Sequence, residues 1–192
     1  WAGHWADWKA FGLGALGWVI ALVLRGPVSL LVHKLPKNKG GAIAVLSSGA
    51  LEEPTRLVLL LLTSQSAGWA ISLGQGWAAV EVAFTMINVL VIAGLAGKTD
   101  EKSMQAKQML AAQGNLTASP LLGIVERISA SAFHIGATLI AAAAPWMVVV
   151  LIPLHSGLNW GAVKLAGKSV NMTEAFVAAV GLITLAAGVL LI

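Results

Sequence analysis

Glu52, Glu53 and Arg56 lie inside an apolar stretch of membrane length, preceded by Gly49-Ala50-Leu51 and followed by Leu57-Val58-Leu59-Leu60-Leu61-Leu62. A charge in hydrocarbon costs about 2.5–3.5 kcal/mol even on lenient insertion scales. A chain that places three within five residues is using them. On a helix Glu52 and Arg56 are four apart and Glu53 and Arg56 three apart, so all three are expected to meet on one face. Pro54 directly follows the glutamates and is expected to kink the helix and free a carbonyl there.

The rest of the chain makes the stretch a membrane feature. Its 192 residues are 58% hydrophobic and 10% charged, with a mean hydropathy of +0.85. A soluble domain carries about 25% charged residues. The chain therefore reads as an integral membrane protein of the all-α class. Its expected form is a polytopic transmembrane helical bundle, one domain over 1–192, with length for about six spans of about 20 residues. The absence of cysteine excludes a disulfide framework, a thiolate metal site and a thiol nucleophile. The net charge of +4 comes from scattered loop lysines with no aromatic–basic tract, which excludes nucleic acid as a partner. The chain starts at Trp1 rather than methionine, so a preceding helix is expected.

Apolar runs predict helices over 11–33, 41–65, 76–97, 120–144, 146–165 and 173–192. Gly68-Trp69 to Gly74-Gln75-Gly76 reads as a glycine-rich approach to the third helix, and Pro120 suits a helix start. Lysines mark three connections: Lys34, Lys37 and Lys39; the 98–118 loop with Lys98, Lys102 and Lys107; and Lys164 with Lys168. The other two connections are uncharged, so the positive-inside rule places the three lysine loops in the cytoplasm. Trp1, Trp5 and Trp8 suggest a membrane-surface segment, and 105–115 a short interfacial helix. The sequon Asn115-Leu116-Thr117 falls on the cytoplasmic side and reads as a chance match.

Arg25, Arg56 and Arg127 all fall in apolar segments, as do Glu52, Glu53, Glu81 and Glu126, whereas the lysines stay in loops or near segment ends. Arginine stays charged and pairs bidentately with carboxylate, so it suits buried pairs. Arg25 is expected to partner Glu81 or Glu126. Asp7, Asp100, Glu101 and Glu174 lie near ends or in loops.

Three further helices offer polar faces. His155 and Asn159 are four apart, Arg127, Ser131 and His134 share a face, and Glu81 shares one with Thr85 and Asn88. At 1.5 Å per residue, Glu52 lies about 16 Å into its helix and His155 about 13 Å into its own. Both are then near the midplane of a core about 30 Å thick. Such groups can hydrolyse a bond if they face one water-accessible cavity. A carboxylate serves as general base on water, arginine holds a neighbouring carboxylate ionised, and histidine and asparagine donors stabilise an oxyanion. Two histidines and a glutamate can alternatively bind zinc. No His-Glu-x-x-His signature is present, which makes zinc the weaker reading and leaves no cofactor required on the first.

Glu52-Glu53-x-x-Arg56, then Phe133-His134, then His155-x-x-x-Asn159 resembles the three-motif pattern of the CAAX-protease and bacteriocin-processing (CPBP) clan of intramembrane glutamate proteases. The closer likeness is to the YhfC-type branch of bacterial and archaeal membrane peptidases. It extends over Lys9-Ala10-Phe11, Arg25-Gly26-Pro27, Gly49-Ala50-Leu51-Glu52-Glu53, Gly74-Gln75-Gly76 with Glu81, and Glu126-Arg127 with His134. The resemblance implies a peptidase of a prokaryotic plasma membrane acting on a membrane peptide or protein. In it Glu52 or Glu53 activates water, His134 assists, His155 and Asn159 stabilise the oxyanion, Arg56 holds the glutamate pair, and Glu126 with Arg127 supports the fold. The same fold also suits a non-catalytic structural subunit of a larger membrane complex. Intramembrane acids also suit a transporter, against which stands the lack of internal repeats.

Overall fold

A computed structural model describes residues 6–32, 34–95, 98–101, 103–104 and 120–192, with side chains given except at 37–38, 89, 92–93, 95 and 120–125. The described residues are all-helical. The helices are α1 (Trp8–Val32), α2 (Lys37–Leu62), α3 (Ala67–Leu95), α4 (Pro120–Ala143), α5 (Val148–Ala166) and α6 (Val170–Leu190), with a 3-10 turn, Pro145–Met147, leading into α5. The expectations over 1–5 and 105–115, and the Asn115 sequon, lie outside the described residues.

Local chemistry sets several ends. Asp7 caps α1, its Oδ1 accepting from the backbone N–H of Lys9 and Ala10, both at 2.9 Å. Ser169 caps α6 through the N–H of Met172. In the 98–118 segment Asp100 accepts from the Ser103 hydroxyl at 2.6 Å and its N–H at 3.1 Å. Those two bonds hold the Asp100 carboxyl below the usual aspartate range. Pro54 does not break α2, which runs through it.

α3 starts at Ala67, nine residues before the position expected from its glycines. These glycines serve close packing instead of a turn. A Cβ at Gly76 would lie 1.9 Å from the Phe11 carbonyl oxygen of α1, and one at Gly74 would lie 2.9 Å from Ile135 Cα of α4. Small residues at such crossings let helix backbones approach where lipid supplies no hydrophobic drive.

The helices close into a ring: α1 packs on α2 and α3, α3 on α4, α4 on α6, α6 on α5, and α5 on α2, while α2 also meets α4 across the ring. Trp77, Phe133, Leu60, Leu73, Leu139 and Leu151 fill the interior. Many apolar side chains point outward, including Val23, Leu30, Leu62, Val149 and Leu190, a surface suited to lipid. Four helical segments are long and apolar enough to cross a membrane: Trp8–Val32, Ala67–Asn88, Pro145–Ala166 and Val170–Leu190. They give the chain the architecture of an integral membrane protein. α2 and α4 are the two long helices outside that set, and they carry Glu52, Glu53, Arg56, Glu126, Arg127 and His134.

Candidate functional site

The charges of α2 lie where the ring closes on itself. Glu53 and Arg56 are fully buried, with Arg56 Nε 3.1 Å from Glu53 Oε2 and Nη2 donating to Oε1 at 3.2 Å. Arg56 Nη1 donates to the His134 carbonyl at 2.7 Å and to Thr138 Oγ1 at 2.6 Å, and its Nη2 also reaches His134 Nδ1 at 3.0 Å. The Trp77 ring covers the guanidinium at 4.5 Å.

Glu52 faces elsewhere. Arg25 of α1 pairs with its Oε1, and Trp77 Nε1 of α3 donates to its Oε2 at 3.1 Å. Two expectations are corrected. Arg56 clamps Glu53 alone, not the pair, and Arg25 partners Glu52, not Glu81 or Glu126. The i,i+4 spacing would allow Glu52 to meet Arg56 as well, but its carboxylate turns to the partners that α1 and α3 supply.

The histidines join this array from α5 and α4. His155 Nδ1 lies 2.6 Å from Glu53 Oε1, and its Nε2 lies 3.9 Å from Glu52 Oε2. A carboxylate held by a guanidinium only accepts, so Nδ1 carries the hydrogen in that contact. His134 Nε2 lies 2.6 Å from Glu81 Oε2. Arginine offers no acceptor, so His134 Nδ1 presents its lone pair to Arg56 and Nε2–H points at Glu81. The Phe133 ring lies edge-on to both imidazoles, and the two imidazole centroids are 5.4 Å apart. Beyond Glu81, Arg127 contacts Glu81 Oε1 at 3.5 Å, Thr85 at 3.2 Å and Glu126. The result is one ionic array across five helices, from Arg25 through Glu52, His155, Glu53, Arg56, His134, Glu81 and Arg127 to Glu126.

Asn159 is not brought into this array, against expectation. Its Nδ2 donates to Ser48 Oγ at 2.9 Å. α2 and α5 run antiparallel at this contact, so the residue one turn after His155 meets the residue one turn before Glu52. Gly49 permits the approach, since a Cβ there would lie 2.2 Å from the Ile152 carbonyl oxygen and 2.6 Å from Ser156 Oγ.

Glu52, Glu53, His134 and His155 are between 0 and 3% exposed. A cavity of about 310 Å³ is lined by Arg25, Ser29, Ser47, Ser48 and Asn159; it touches the array at Arg25, and Glu52 is not in its wall. Another, of about 390 Å³, is lined by Trp8, Phe11, Gln75, Ser131 and Ile135, and none of the array's residues lies in its wall. Trp77 and Thr138 belong to the site and escaped the sequence reading. Each sits four residues from a member that was found, Trp77 before Glu81 and Thr138 after His134, and helical spacing alone puts them on the same face. Glu52, His134 and His155 each offer one donor atom, all within 4.8 Å of one another. No protein-family model matches the chain, and neither does any curated protein or solved structure.

Proposed function

We propose that the chain is an intramembrane peptidase, with all six helices crossing the plasma membrane of a prokaryote and the lysine-rich loops in the cytoplasm. The observation that carries this reading is the pair Glu52 Oε2 and His155 Nε2, 3.9 Å apart in a buried setting. That is too long for a hydrogen bond. It is the span at which one water oxygen, about 2.8 Å from each, reaches both. Glu53 fixes the His155 ring from behind and Arg56 pairs with Glu53, so Glu53 suits positioning.

Glu52 then takes the proton of the water that attacks a peptide carbonyl and passes it to the leaving amine. Arg25 is part-exposed, pairs with Glu52 and lines the 310 Å³ cavity. It is better placed than Asn159 to meet the oxyanion. The substrate is a membrane peptide or protein entering from the Arg25 side. In proteoliposomes, cleavage of a membrane-peptide library read by mass spectrometry is expected to fall at least about a hundredfold in Glu52→Gln. Unchanged product yields in both Glu52→Gln and Glu53→Gln would sink the reading.

A second reading is favoured by the closure of the cluster, in which every carboxylate has a cationic or imidazole partner. On that reading the chain is a structural subunit of a larger membrane complex. Copurification in mild detergent then yields a stable assembly that Glu52→Gln leaves intact, with no cleavage product. Proton transport fits less well. Arg56 stands between the His155–Glu53 and His134–Glu81 contacts, and a guanidinium does not release its proton.

A further inference from the structure

We propose that water and substrate reach the ionic array through the cavity between α1, α2 and α5, at the end of the bundle that carries the lysine connections, and that the opposite end is sealed. The helices alternate in direction around the ring. α1 runs parallel to α3, with Phe11 at Gly76 and Trp18 at Phe84. α4 runs antiparallel to α3, with Thr138 at Gly74, His134 at Glu81 and Arg127 at Thr85. α6 is parallel to α4, since a Cβ at Gly181 would lie 2.3 Å from the Ser129 carbonyl oxygen and one at Gly188 2.7 Å from that of Gly136. The ends of α1, α3 and α5 that lead into lysine-bearing connections therefore stand together.

The other end is closed by side chains. Leu60, Leu73, Leu139 and Leu151 each lie four or five residues from a member of the site, from Arg56, Trp77, His134 and His155 in turn, and each lies toward the uncharged connections. They are between 0 and 2% exposed. Four leucines from four helices at one level make an apolar floor, and packing of that density leaves no room for a water path. The cavity of about 390 Å³ beside Trp8 and Phe11 opens on this side and has no array residue in its wall.

The lysine end has the reverse character. Arg25, Glu126 and Arg127, six or seven residues from that end of their helices, keep side chains 22 to 38% exposed. The 310 Å³ cavity lies in this half, and Arg25, Ser29, Ser47, Ser48 and Asn159 give it a polar lining. It has room for about ten water molecules. Hydroxyl and amide groups at membrane depth are costly against lipid and suit a wet passage. Arg25 stands in the wall with Glu52 behind it, so an entering molecule meets the guanidinium before the carboxylate. As a path for substrate the cavity rests on the peptidase reading, and the bond within reach then belongs to a polypeptide segment at the lysine face of the membrane. As a path for water it stands without that reading.

The chain has no cysteine, so single cysteines report access without background. Lys168→Cys and Gln65→Cys mark the two ends, Ser47→Cys the cavity wall, and Ala70→Cys the sealed side, one turn beyond Leu73. Each is treated with a charged, membrane-impermeant methanethiosulfonate in intact host cells and in inverted membrane vesicles, and labelling is read by mass spectrometry. Ser47→Cys is expected to react in the preparation that labels Lys168→Cys and not in the other. Ala70→Cys, reachable only by local opening of the bundle, reacts at least about a hundredfold more slowly in both. Size-exclusion profiles show which variants stay folded, and Ser29→Cys and Ala141→Cys replace a wall or sealed-side variant that does not. Reaction of Ser47→Cys from the Gln65 side, in neither preparation, or with a lipid-soluble maleimide alone overturns the route. Fast reaction of Ala70→Cys overturns the seal. Cleavage that persists in fully labelled Ser47→Cys takes substrate out of the cavity and leaves the peptidase reading intact. Labelling as expected with no cleavage by any variant or the wild type upholds the water path and removes the peptidase reading.

Discussion

Arg25 reaches from α1 to Glu52 while Arg56 holds Glu53 within one turn of α2, so each of two adjacent glutamates has its own guanidinium. One arginine for two buried carboxylates would leave an uncompensated charge inside the bundle, which several kcal/mol of desolvation disfavours. Arg25 removes that problem and ties α1 to α2 in doing so. The array as a whole holds four carboxylates, of Glu52, Glu53, Glu81 and Glu126, against three guanidiniums, of Arg25, Arg56 and Arg127. It therefore stands one positive charge short of neutrality with both imidazoles uncharged. A proton on one imidazole or a bound cation brings it to balance or beyond.

The two arginines should differ when removed. Arg56 is fully buried and makes contacts to Glu53, His134 and Thr138, so Arg56→Met leaves Glu53 uncompensated and is expected to destabilise by about 3–5 kcal/mol. Arg25 has a side chain 30% exposed, which screens it, but Arg25→Met leaves the buried Glu52 carboxylate without its cation, so the expected loss is about 2 kcal/mol, smaller than for Arg56. Thermal unfolding in one detergent compares them directly, and equal losses would contradict the burial argument. Arg56→Lys recovers only part of the stability, because an ammonium cannot reproduce the planar fork.

The membership of this array was legible because charge in an apolar run is expensive wherever it occurs. Glu52, Glu53, Arg56, Glu81, Glu126, Arg127, His134 and His155 all stand out on that ground. Pairing was not legible, because it depends on which helix lies beside which. Arg25 could be assigned to an apolar segment but not to Glu52 until α1 lay against α2. Asn159 looked like a partner of His155 because the two share a face, yet the antiparallel crossing sends it to Ser48. The start of α3 was misread for a related reason. Gly74 and Gly76 lower helix propensity locally, and tertiary packing against α1 and α4 outweighs that preference.

Gly49 sets the distance between the glutamates and His155. A larger side chain there meets the Ile152 carbonyl and Ser156, so Gly49→Val forces α2 and α5 apart. The expected loss is about 1–3 kcal/mol from overpacking, with the Glu53–His155 contact broken at the same time. A folded Gly49→Val chain that keeps full activity would show that this contact is dispensable.

Trp77 gives Glu52 its second partner while its ring covers Arg56. Trp77→Phe removes the N–H and keeps an aromatic face over the guanidinium. A buried carboxylate that loses one donor is expected to lose about 1.5–3 kcal/mol of stabilisation. Trp77→Leu removes the face as well and should lose more. If the two variants unfold at the same temperature, the ring contributes nothing to holding Arg56.

Asn159 separates the geometry from the resemblance. As an oxyanion donor its loss should lower turnover by about 10² to 10³. In the structure it bonds Ser48 on the cavity wall, one turn from His155, so Asn159→Ala is expected to remove one hydrogen bond worth about 1 kcal/mol. Turnover should then change by less than about tenfold, while Arg25→Gln, in the wall of the same cavity, lowers it far more. Side-by-side rates in proteoliposomes decide the point. A hundredfold loss in Asn159→Ala at unchanged stability would mean that the Asn159–Ser48 bond opens during turnover and that asparagine, not Arg25, meets the oxyanion.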